Sequence, residues 1–246
     1  MARAFHILAA IAALSTAWPL SAQMPVATEK FALREGFAFS SDKPRILLFQ
    51  PEIKVGEQTT AGIFQNNADW HAAASRELTA ALVRAGNKRG FEMVLHEDKG
   101  ATGQILIEHR ALFRLVVNMI IRHKLFGKDP LPSKAAAFDW SLGSGLSGLA
   151  SDVQADYGLF LLNQDSFESS GRRAAKLVAS LMGNQDAAGT HFAYAALVDL
   201  RNGDIVWLGV DLRAAGDVRT AEGASHRFGQ LLNGLPSPAS GQGGAQ

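Results

Sequence analysis

The chain has 246 residues, with 24 Lys and Arg against 23 Asp and Glu, and no cysteine. That near-neutral balance disfavours a nucleic-acid binder, which gathers Lys and Arg on one face, and supplies no polybasic segment for an anionic membrane. The lack of cysteine excludes disulfides, thiolate metal sites, a cysteine nucleophile and a lipid-modified cysteine.

Met1-Ala-Arg3 is a positive start. Ala4 to Leu14 is almost unbroken apolar sequence, with only His6 between, and Leu20-Ser21-Ala22 before Gln23 reads as a small-residue cleavage site. This is the pattern of a secretory signal peptide over residues 1–22, cut near Ala22. Its apolar run is shorter than the roughly 20 residues a spanning helix needs. The expectation is therefore a chain exported to the periplasm, with neither a lipid anchor nor a transmembrane helix once the leader is removed. A body of about 190 ordered residues buries roughly 70% of its unfolded surface, enough for one unaided domain. Residues 44–235 are read as that domain, 23–43 as a loosely ordered lead-in, and the Gly-, Ser- and Pro-rich 236–246 as a disordered tail.

Arg45 to Gln50 is a short apolar run of the kind covered on both faces of a sheet, and Pro51 ends it. Pro51 to Asn67, with Gly56 and Gly62, is read as a long functional loop. Asp69 is expected to cap a helix to Lys88, in which Trp70, Ala74, Leu78, Ala81, Leu82 and Ala85 form one stripe. Phe91 to His96 is a second strand. Thr102 is expected to cap a helix from Gly103 to about Leu125. It is apolar on so wide an arc that it either lies deep in the fold or meets a partner. Phe138 to Gly148 is irregular, and Tyr157 to Leu162 is another buried strand. Ser169 or Ser170 opens a helix to about Met182. His191–Leu200 and Asp204–Leu212 flank Asn202-Gly203, a two-residue hairpin signal that would set Leu200 against Ile205 and Val198 against Trp207. A helix over about 219–235 closes the domain. Strands alternating with helices, then a hairpin, predict an α/β fold. Its sheet would be mixed, mainly parallel and of about five strands, with helices packed on it and a C-terminal hairpin plus helix.

Three passages carry a family resemblance: Pro44-Arg-Ile-Leu-Leu-Phe-Gln-Pro51, Phe167-Glu-Ser-Ser-Gly-Arg-Arg173, and the hairpin Ala196 to Trp207. Together they resemble exported, mostly uncharacterised proteobacterial proteins. The hairpin is similar to that of envelope proteins with a fold like the N-terminal domain of TolB, a set that includes the curli-secretion lipoprotein CsgG. The resemblance implies a periplasmic, non-enzymatic assembly or accessory factor working through protein contacts. Those lipoproteins carry an anchoring cysteine that this chain lacks.

Candidate chemistry is sparse. Gly143-Ser-Gly-Leu-Ser-Gly148 spells a dinucleotide fingerprint, but Ala135 to Trp140 before it is poor strand material, so no cofactor is expected. The histidines at 71, 96, 109, 123, 191 and 226 show no tight ligand spacing, and no metal is expected. Ser169, Ser170, Gly171, Arg172 and Arg173 at a helix start are the anion-binding candidates. Glu52, Glu57, Ile63, Phe64 and Trp70 are the partner-binding candidates, aromatic and aliphatic anchors beside carboxylates. Removal of residues 56–66 is expected to leave stability nearly intact. The reading is an exported accessory or assembly protein of the cell envelope, without catalytic activity. It would contact an envelope protein partner or assemble as a homo-oligomer. The alternatives are a secreted hydrolase using Ser144 or Ser147 with a distant partner such as His191, and a small-anion binder.

Overall fold

The computed structural model describes residues 29–95, 100–125, 130–134, 136–169, 171–172 and 191–238. The expected signal peptide, the helix to Met182 beyond Arg172 and the tail from residue 239 lie outside them. Its strands are β1 (Glu29–Leu33), β2 (Arg45–Leu48), β3 (Glu52–Gln58), β4 (Phe64–Asn66), β5 (Glu92–Leu95), β6 (Tyr157–Glu168), β7 (His191–Asp199) and β8 (Ile205–Asp211). They form one sheet in the order β1-β8-β7-β6-β2-β5, with β3 also beside β6 and β4 outside β3.

The twelve-residue β6 is divided between two neighbours. β2 runs parallel to Tyr157–Leu159, and β3 runs parallel to Leu162–Glu168. Pro51, between β2 and β3, has no N–H to give to a ladder, and the chain steps there. The β2–β5, β2–β6 and β3–β6 pairings are parallel; β1–β8, β3–β4, β6–β7 and β7–β8 are antiparallel. Eight strands in a mostly antiparallel sheet thus replace the expected five mainly parallel ones. The missed strands are short or carry charge on one face: β1 lies in the expected lead-in, β3 reads Glu-Ile-Lys-Val-Gly-Glu-Gln, and β4 has three residues. The Pro51–Asn67 segment is accordingly a hairpin added to the sheet, not a loop. Deleting 56–66 would strip the β3 pairing with Ser166–Glu168, so the expectation of unchanged stability is withdrawn.

Successive strand residues point to opposite faces, and here both faces are apolar. Ile46 and Leu48 join one buried cluster, Leu47 and Phe49 the other. Among the described residues four helices cover them: α1 (Ala68–Lys88), α2 (Gly100–Ile120), α3 (Ser147–Val153) and α4 (Ala221–Leu231). α1 and α4 pack on the first face, α2 and α3 on the second. The result is a three-layer sandwich. The α1 stripe is as expected, with Ala74, Leu78, Ala81 and Leu82 buried. Its cap is Asn67, whose Oδ1 accepts the Trp70 N–H at 3.0 Å, while Asp69 sits in the first turn. α2 begins at Gly100, ahead of the expected Gly103, and passes into a π-helical turn, Ile121–Leu125.

The terminal hairpin has a different tip from the expected two-residue turn. Val198 pairs with Ile205 and Leu197 with Trp207, across an irregularity between Leu197 and Val198. The Gly203 N–H reaches Asp199 O at 2.8 Å, closing a loop over Leu200–Gly203. Gly203 alone takes positive φ, 76°. A Cβ there would also lie 1.9 Å from Gly143 O. The contact arises because the 140–143 segment is clamped on the tip: Leu142 N–H donates to Gly203 O at 2.8 Å and Ile205 N–H to Trp140 O at 2.9 Å.

That clamp decides the fate of the glycine-rich passage. It lies against the hairpin tip, with a bridge at Ser141 but no strand before it, and opens a 3-10 turn and the short α3. His191 is at the other end of β7, roughly 27 Å away at about 3.4 Å per residue. Ser144 or Ser147 with His191 therefore makes no catalytic pair, and the hydrolase alternative is set aside in that form. No helix among the described residues is long and apolar enough to cross a membrane.

Candidate functional site

The chain leaves β2 through the β3–β4 hairpin and α1 to reach β5 over one face. It then returns through α2 and α3 to β6 over the other. β2 thus has its parallel neighbours on opposite sides, joined by crossovers on opposite faces. Such a reversal opens a crevice beyond the carboxyl end of the strand. Here the crevice has a volume of about 490 Å³. Its floor is the Gln50–Ile53 step, where Pro51 breaks the ladder. α1 lends His71, Ser75 and Thr79 to one wall, and α2 lends Arg110 and Arg114, four residues apart and so on one side of the helix, to the other.

Arg114 Nη1 donates to Glu52 Oε1 at 3.0 Å, and Lys54 Nζ lies 3.7 Å from the same oxygen. Arg110 Nη1 donates to Gln50 Oε1 at 3.4 Å. Tyr194 is buried close by. Burial and then the charge of Glu52 push its phenol above its ordinary range, against a smaller opposing pull from Arg114.

α2 is apolar on two sides. Leu106, Phe113, Val117 and Ile120 are buried in the core, whereas Ile107, Leu112, Leu115 and Met119 are exposed, Leu115 to 67%. Ile107, Ala111, Leu115 and Met119 recur every four residues, a continuous outer stripe. Ile107 and Ala111 also line the crevice. The wide apolar arc seen in the sequence is thus half core and half surface.

A second polar cluster lies at the far end of β6. Arg227 of α4 is fully buried. It clasps Asp165 through Nη2 to Oδ1 at 3.0 Å and Nη1 to Oδ2 at 3.1 Å, and also donates to Asn163 Oδ1. Its remaining donors reach Ala215 O at 3.2 Å, Ala214 O at 2.9 Å and Gly216 O at 3.1 Å. His191 Nδ1 lies 2.6 Å from Asp165 Oδ1. Burial alone would raise the Asp165 pKa, but hydrogen bonds from His191, Arg227 and Asn163 outweigh it and hold the carboxyl below its ordinary range. Beside it, the Arg219 guanidinium stacks over Trp70 at 4.3 Å and Phe167 at 4.0 Å while binding Asp217 with both carboxylate oxygens. Every group in this cluster has a partner, so it locks α4, α1 and the 214–219 segment to β6.

The structure separates the sequence candidates. Glu52 lies in the crevice. Glu57, five residues along β3, points to the opposite face. Ile63 is 63% exposed at the turn of the hairpin, Phe64 is half-buried on β4, and Trp70 is committed to Phe167 and Arg219. Ser169 Oγ accepts the Arg172 N–H at 3.1 Å, and Arg172 Nη1 donates to Thr59 O at 3.4 Å, bracing the β3–β4 turn. Gly171 faces Thr60 of the same turn. Ser170 and Arg173 lie outside the described residues. Sequence reasoning missed the Asp165–Arg227 pair, although an arginine in register with Ala224, Phe228 and Leu231 on the buried face of the last helix was a visible signal. Among the described residues no group of three His, Asp or Glu could hold a metal ion.

No protein-family model matches the chain, and no curated protein matches it. Among solved structures it is similar to a PelC dodecamer from Paraburkholderia phytofirmans, at 10% identity over 82% of this chain and 97% of that one, TM-score 0.33. It is also similar to lipoprotein GNA1162 from Neisseria meningitidis, at 14% over 68% and 77%, TM-score 0.29. A third is the LpoB C-terminal domain from Salmonella enterica, at 16% over 72% and 84%, TM-score 0.28. None of the three is TolB or CsgG, and at these scores the likeness carries no argument about activity.

Proposed function

We propose that this protein is an accessory or assembly factor of the cell envelope that acts by protein–protein contact and performs no reaction of its own. The observation that carries this reading is the outer stripe of α2. A helix whose core face is already satisfied gains nothing in the isolated molecule from three further large apolar residues, Ile107, Leu115 and Met119, turned to water. Contiguous exposed apolar surface of this kind marks an interaction face. The export pattern of the first 22 residues supports the envelope as its setting.

The charge around the stripe describes the partner. Arg110 and Arg114 flank it, Arg122 and Lys124 follow in the π-helical turn, and Glu108 is the one acid on α2. The occupant proposed is a segment of another envelope protein that presents apolar anchors bordered by carboxylates. The expected contact at the tip of the Pro51–Asn67 segment becomes secondary: of its candidates, Ile63 is the large apolar residue left exposed.

Replacing both Leu115 and Met119 with glutamate tests this directly. Both positions are exposed, so the melting temperature should move by no more than about 2 °C. The species cross-linked to the exported chain in intact cells should fall roughly thirty-fold, the cost of losing a hot spot worth about 2 kcal/mol. Undiminished cross-linking in the double variant contradicts the proposal.

A further inference from the structure

We infer that the α1–α2 crevice binds a small anion, a molecule bearing a carboxylate or a phosphate, through Arg110 and Arg114. Four observations converge there. The crevice stands at the carboxyl end of a parallel strand where the crossovers diverge, the position at which open α/β sheets take ligands. Its volume of about 490 Å³ falls within the range of small-molecule sites, about 300–1,000 Å³. Two guanidinium groups one helical turn apart face it from α2, and His71, Ser75 and Thr79 offer further polar groups from α1 across the gap. Ile53, Ile107 and Ala111 add an apolar lining for the body of the ligand.

The present partner of Arg114 does not oppose this. Glu52, which holds Arg114, is shared with Lys54, and the Arg114 side chain is 45% exposed. The Glu52 side chain is 24% exposed, so the pair is half-buried and contributes modestly to stability; an incoming anion that displaces it leaves Lys54 to hold Glu52. Planar guanidinium groups suit the forked acceptors of carboxylate and phosphate. At the rival anion site, Ser169–Arg173, the Ser169 hydroxyl and one Arg172 terminal nitrogen serve the local backbone, and Ser170 and Arg173 lie outside the described residues.

The test is thermal unfolding of the exported chain in about 150 mM salt, titrated separately with inorganic phosphate and with citrate. At ten times its Kd the effective anion should raise the melting temperature by about 3–6 °C and saturate. Which of the two does so identifies the ligand chemistry. Arg110→Gln with Arg114→Gln should abolish the rise, and Ala111→Glu, which adds to Glu52 a second carboxylate with no cation of its own to hold it, should abolish it independently. Arg172→Gln should leave it in place. No saturable rise with either anion overturns the inference, as does a rise that survives in both crevice variants or one lost only in Arg172→Gln. The stripe of α2 is tested by cross-linking rather than by anions, so failure here is distinguishable from failure of the proposed function.

Discussion

Replacing Arg227 with methionine should lower the unfolding free energy by about 3–5 kcal/mol, the usual cost of orphaning one half of a buried ion pair. For a chain of this size that is a fall in melting temperature of about 6–20 °C. The loss comes from what is left behind. Asp165 is fully buried, and without Arg227 its charge would rest on His191 and Asn163 alone, while three carbonyls at 214–216 would lose their donor. Removing both charges, Arg227→Met with Asp165→Leu, should recover a large part of the deficit, since no uncompensated carboxylate then remains.

The pH dependence has a definite sign. The folded-state pKa of Asp165 is depressed, so its contribution is present above the unfolded value, about 3.9, and is lost as pH falls through the lower folded value. In Arg227→Met the desolvated carboxyl is driven upward instead and takes up a proton more readily. The gap between variant and wild type should therefore narrow as pH falls from 7 to 5. Urea titrations at the two pH values measure it, and a gap that stays constant or widens removes Asp165 as the cause.

Phe160→Ala should cost about 3–5 kcal/mol, with Phe160→Leu well below that. Phe160 stands at the middle of a stack, its ring centroid 3.8 Å from Phe49 and 4.5 Å from Phe113. Those three rings tie β6 to the end of β2 and to the inner face of α2. Truncation opens a cavity beneath the helix that carries both the crevice arginines and the outer stripe. A denaturation midpoint that falls at unchanged slope is the expected signature; a cost below about 1 kcal/mol would mean that the stack does not position α2.

What could be read from the sequence follows from where the periodic signal is strong. Arg45–Leu48, the α1 stripe and the hairpin strands bury large aliphatic residues at regular spacing, and all stand close to their expected places. β3 escaped because Glu52, Lys54 and Glu57 dilute Ile53 and Val55, and because Pro51 reads as an end rather than a step. β1 escaped as a short edge strand whose pairing with β8 joins residues more than 170 positions apart. The mainly parallel sheet was inferred from helices lying between strands, yet β7, β8 and β1 are added antiparallel with no helix between β7 and β8. Of the site, Glu52 was visible as a carboxylate but not as the partner of Arg114, 62 residues away. The two-sided character of α2 was visible as a wide arc; only packing could say which side faces water.

The proposed role stands or falls with contact between the outer face of α2 and another protein. A photo-cross-linking amino acid placed at position 115, and for comparison at the exposed Arg84 of α1, reports on that contact. Adducts formed in living cells from position 115 and not from 84, and weakened by added salt, are the predicted result. Equal labelling from both positions, or none from 115, would contradict the account.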